Sequence, residues 1–199
     1  MTLAARLVTI AALSLVATPA LAHPPPFGVA DFFGGLIHPA FVSAHLMAIL
    51  GLGILIGQQT PRGSRAAAVV FIVALIAALA VLRFGVAPPF TLEAVLFSAL
   101  MGGVLAALAL PLPKALGWVL AAVTGTAIGL DSPPEVMSVR EADQMLIGTA
   151  IGGTLLLVVI VEIAARLTTP WQRIGARVLG SWIAASAMLV LAILMVRNY

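Results

Sequence analysis

FFGGLIHPAFVSAHLMAILGLGILIG, residues 32 to 57, is an apolar run long enough to cross a bilayer, and it carries two imidazoles in its interior. His38 and His45 lie seven residues apart. On one continuous helix, seven steps of about 100° return to nearly the same face, about 10 Å further along the axis. Both rings therefore fall on one stripe, too widely spaced to share an ion, and read as two stations on a path. The Pro39 ring removes a backbone donor and predicts a kink near Gly35. An ionisable group inside a membrane is costly and marks a functional site by default. The structural alternative is a helix-start residue at His38 and, at His45, a neutral ring hydrogen-bonded to a neighbouring helix.

Outward from this stretch the chain repeats the theme. Five more apolar runs follow, at about 65–84, 91–110, 114–130, 144–166 and 174–196, separated by prolines or by polar connections such as QQTPRGSR, DSPPEVMSVREAD and LTTPWQR. Of 199 residues, 62% are hydrophobic and only 9% charged, with a mean hydropathy of +1.19. Soluble domains carry about 25% charged residues. The expected fold is all-α, a polytopic membrane bundle of six transmembrane helices forming one domain over residues 23–199.

Residues 1–22 combine Arg6, the apolar LVTIAALSLVA and a closing Ala20-Leu21-Ala22, the pattern of a cleaved secretory signal peptide; an uncleaved first span is the alternative. Cleavage leaves His23 first in the mature chain, ahead of Pro24-Pro25-Pro26. A free α-amino group beside an imidazole chelates a divalent metal once both are deprotonated; a solvated tail stiffened by prolines is the alternative. A cleaved signal places the mature N-terminus outside, and six spans return the C-terminus to the same side. The loops agree, with Arg62, Arg65, Lys114, Arg166, Arg173 and Arg177 inside against Arg83, Arg140 and Arg197 outside. The expected location is a bacterial inner membrane with both termini periplasmic. The net charge of +3 thus reflects orientation and does not point to nucleic acid. With no cysteine, disulfides and thiolate ligands are excluded.

Several acids sit near the histidine stripe. Asp31 opens the first span at the outer surface, Glu93 lies two residues into the third, and Asp131 closes the fourth on that same side. With His38 and His45 they form a descending series of cation ligands. Glu162, near the inner end of the fifth span, is spaced to pair with Arg166 at i,i+4. Gly53 with Gly57, Gly125 with Gly129 and Gly148 with Gly152 are G-x-x-x-G spacings suited to close helix packing. There is no H-E-x-x-H, no serine paired with a base and no phosphate-binding G-x-x-x-x-G-K-[ST], so the chain reads as neither an enzyme nor an ATPase.

HPAFVSAHLMA, residues 38–48, resembles the H-P-x-x-G-x-D-H-x-x-A signature of the HupE/UreJ family, with Val42 and Ala44 where the signature has Gly and Asp. FTLEAV at 90–95, followed by Ser98, is similar to that family's glutamate-bearing third helix. TGTAIGLD at 124–131 matches its H-G-x-A-H-G-x-E segment, with Thr124 and Ile128 at the two histidine positions. The resemblance implies a permease-like membrane protein associated with hydrogenase and urease maturation, moving a divalent ion of the nickel or cobalt class from periplasm to cytoplasm. His23, Asp31 and Asp131 would capture the ion and His38, Glu93 and His45 would pass it inward, with affinity falling as the imidazoles protonate. The ion is cargo, and no permanently bound cofactor is implied. The second reading is a non-transporting assembly or accessory subunit of a larger membrane complex. Expected partners are the bilayer, the metal ion, and either further copies of the chain or a membrane partner protein.

Overall fold

The computed structural model describes residues 31–59, 61–86, 88–134 and 138–197. The signal-peptide segment and His23 lie outside the described residues. Seven helices and no strand occur among those described: α1 Phe32–Phe41, α2 Ser43–Gly57, α3 Pro61–Arg83, α4 Thr91–Leu108, α5 Lys114–Leu130, α6 Val139–Ala165 and α7 Pro170–Arg197. Four of them, α3, α4, α6 and α7, are long and apolar enough to cross a membrane. The α1–α2 pair passes the same test jointly and adds a fifth crossing if it is one broken span, whereas α5 is a shorter apolar helix.

The first span therefore differs from its expectation. Instead of one helix kinked near Gly35, the chain stays helical past Pro39, becomes extended at Val42 (φ −78°, ψ 109°) and restarts at Ser43, bent by 68°. The Val42 amide still donates to the His38 carbonyl at 3.0 Å, so the break falls after that bond and not at the proline. Packing supplies the reason. A Cβ on Gly35 would stand 2.0 Å from the Met145 carbonyl oxygen, and Cβ atoms on Gly148 and Gly152 would come as close to the Phe32 and Leu36 oxygens. Pressing α1 backbone to backbone against α6 sets its direction independently of α2.

Helix α2 is the axis of the bundle. It touches each of the other six helices, and eleven of its fifteen residues are buried, among them Ile49, Leu52, Leu55 and Ile56. A helix apolar on every side belongs at the centre of a membrane protein. Around it, α3 packs on α5 through Gly125 and Gly129, and α4 packs on α7 through Gly103 and Gly180. The outer faces are apolar as well: Val73 and Ile76 on α3, and Trp182, Met188 and Ile193 on α7, are exposed, as lipid-facing side chains should be.

Three helices begin earlier than the apolar runs suggest, α3 among them at Pro61. Helix α6 starts at Val139 because Ser138 and Glu141 form a reciprocal capping box inside the acidic connection. Helix α7 starts at Pro170, whose fixed φ suits a first helical position. The expected i,i+4 pair is present, with Arg166 Nη2 2.9 Å from Glu162 Oε2.

Close approach at Gly152 makes a two-sided test. Gly152→Ala should lower stability by about 1–3 kcal/mol, because the new methyl meets the α1 backbone rather than a movable side chain. Gly117→Ala, with nothing within 4 Å, should be neutral or stabilising by up to about 1 kcal/mol. Thermal unfolding of the purified protein in detergent micelles reads both.

Candidate functional site

Four helix ends meet around His45. The ring belongs to the third residue of α2 and is wholly buried. Asp131, the residue that ends α5, places Oδ2 3.0 Å from His45 Nε2. Thr91, the first residue of α4, donates its hydroxyl to Asp131 Oδ1 at 2.7 Å. From the last turn of α1, the His38 ring meets His45 edge to face, with centroids 5.1 Å apart and planes at 67°.

This corrects the expected spacing of the two imidazoles. Seven residues of continuous helix would hold the rings about 10 Å apart along the axis. The extended residue and the 68° bend instead fold α1 back so that the rings touch. The two histidines form one cluster and not two separate stations.

Hydrogen-bond chemistry orients the cluster. An ionised Asp131 can only accept, so His45 Nε2 carries the hydrogen of their bond. In the neutral ring the lone pair is then on Nδ1, which is buried and has no hydrogen-bond partner among the described residues. A carboxylate that holds one imidazole nitrogen while the other stays available is the arrangement that surrounds metal-ligating histidines. With Oδ2 facing His45 and Oδ1 facing Thr91, Asp131 is placed to orient the His45 ring.

The other expected site residues stay apart from this cluster. Asp31 caps α1, with Oδ1 accepting from the Phe33 and Gly34 amides at 2.9 and 3.4 Å. Glu93 sits in the first turn of α4 and makes no hydrogen bond or ion pair among the described residues. Among the described residues, no three His, Asp or Glu side chains are arranged to hold a metal ion together. The participant that sequence reading missed is Thr91. Its only signal was its position at the head of the glutamate-bearing helix, and nothing local says that it faces Asp131, 40 residues on. At the two family histidine positions, Thr124 is buried with its hydroxyl donating to the Leu120 carbonyl at 2.8 Å, and Ile128 is buried in the apolar core.

A family model described as HupE / UreJ protein matches residues 11–190, nearly the whole chain. The chain belongs to the HupE/UreJ family. No curated relative and no solved structure matches it. Membership places this HupE/UreJ chain among membrane proteins with accessory or permease-like roles in nickel and cobalt handling, a transporter and accessory family and not an enzymatic one.

The orientation of His45 can be read directly. In protein carrying ¹⁵N-labelled histidine, the neutral His45 ring should show the hydrogen on Nε2. Asp131→Ala should abolish that preference and Thr91→Val should weaken it. An Nδ1–H ring in the unaltered protein would contradict the arrangement.

Proposed function

We propose that the chain is a permease-like protein of the bacterial inner membrane that takes a divalent ion of the nickel or cobalt class from periplasm to cytoplasm. In this reading residues 1–22 are a cleaved signal, α1 and α2 together form one broken span, and α5 completes a set of six, with both termini periplasmic. The ten residues of α1 and fifteen of α2 give about 37 Å of helix, enough to cross a core of about 30 Å despite the bend.

The single observation that carries the proposal is the imidazole pair at the helix break, with Asp131 holding His45 Nε2 and leaving Nδ1 unengaged. Imidazole nitrogens suit nickel and cobalt. A broken helix inside a membrane also brings carbonyls at the negative end of α1 close to the site, the construction by which transporters hold cations near mid-membrane. His23 is the natural further ligand. Eight residues separate it from Asp31, a reach of at most about 28 Å when extended. Glu93 and Asp31, on the same side, would draw the cation toward the mouth.

The test is uptake of nickel and cobalt by cells expressing the full chain, paired with metal analysis of the purified protein. His45→Ala should abolish both uptake and bound metal, and Asp131→Asn should weaken binding about 10- to 100-fold through the loss of the carboxylate that fixes the ring. Ile128→His adds an imidazole one turn before Asp131 and should strengthen binding. Uptake by the unaltered chain equal to that of empty-vector cells would sink the proposal.

One observation favours the second reading, a non-transporting assembly subunit: the absence of a three-ligand group among the described residues. A stoichiometric membrane partner on purification, with activity surviving joint replacement of His38 and His45, would decide for it.

A further inference from the structure

At the end of α2 remote from His45, a cavity of about 920 Å³ lies between α3, α6 and α7, with Gln58 and Gln59 on its wall. Arg65, Arg173 and Arg177 line it. Arg173 Nε donates to the Leu167 carbonyl, just past α6, at 3.3 Å, and Arg177 Nε to the Ala107 carbonyl, in the last turn of α4, at 2.8 Å. Among the described residues their terminal guanidinium nitrogens make no further hydrogen bond, and Arg65 makes none. The one acid on the wall, Glu162, is already neutralised by Arg166. Gln58 Oε1 is buried and lacks a hydrogen-bond partner among the described residues, so the cavity wall also offers an unused acceptor.

The lining changes character along the bundle axis. Val69 and Ile72 stand about 6 and 10 Å beyond Arg65 along α3, and Val158 stands about 6 Å beyond Glu162 along α6, toward the middle of the bundle. Val69 and Val158 are also exposed on the outer surface that faces lipid. The space is therefore cationic at the end of the bundle, apolar further in, and flanked by the acyl-chain region. Three guanidinium groups repel a metal cation, whereas guanidinium forks match phosphate oxygens.

We infer that this cavity is a binding site for an anionic phospholipid, its phosphate held by Arg65, Arg173 and Arg177 and an acyl chain running along Val69, Ile72 and Val158. Basic pockets between membrane helices on the positive-inside face suit such headgroups. The site is independent of the metal reading, since it lies at the other end of α2 and uses none of the same residues.

Native mass spectrometry of the full chain, extracted from vesicles of mixed phosphatidylglycerol and phosphatidylcholine, tests it. Retained phosphatidylglycerol should exceed phosphatidylcholine, and the preference should fall about tenfold in Arg65→Gln, the loss expected for a charge-assisted contact. Arg65 makes no hydrogen bond or ion pair among the described residues, so this variant should unfold at the same temperature as the unaltered protein in pure phosphatidylcholine. Arg140→Gln, at the opposite end, should leave the preference unchanged. Equal retention of the two lipids, an undiminished preference in Arg65→Gln, an equal loss in Arg140→Gln, or displacement of the lipid by excess inorganic phosphate would each overturn the inference.

Discussion

Where a membrane helix breaks, the amides of the new first turn have no carbonyl behind them, and lipid offers no substitute. The break at Val42 creates that situation for the amides of Ser43, Ala44 and His45. It can persist only where protein surrounds it. The architecture meets this condition by putting α2 at the centre, in contact with every other helix, and by docking α1 on α6 at glycines where backbones meet directly. The bundle is arranged around protecting one irregular residue, and that residue brings two histidines together.

The same central helix separates two chemically opposite ends. At its start, imidazoles and a carboxylate converge from four helix ends. At its finish, three arginines line a cavity. Between them Ala48, Ile49, Leu52, Leu55 and Ile56 are almost entirely buried, so no polar group bridges the two along α2. In the proposed transport cycle, this apolar column is the barrier that must open. In the proposed orientation, the arginines face the cytoplasm, where anionic headgroups are available to hold the helix ends that flank the column.

Much of this was legible in the residue order, for local reasons. Apolar run length sets the helices, and Glu162 with Arg166 meets the i,i+4 rule. Glycine pairs four apart signalled close packing, and the structure finds Gly125, Gly129, Gly148 and Gly152 against neighbouring backbone. The starts of α6 and α7, at Val139 and Pro170 and not at about 144 and 174, escaped the hydropathy reading because their first turns are polar.

The candidate site was legible only in its parts. The sequence by itself determined an all-helical membrane chain, named His38, His45 and Asp131, and carried the family resemblance, because each depends on residue type and short spacing. Tertiary structure alone decided that the two rings touch, that Asp131 bonds to His45, and that Thr91 joins them. The physical reason is that helical periodicity predicts neighbours only while the helix continues. At Val42 it does not, and contacts across 40 and 86 residues are then set by which backbones can approach most closely.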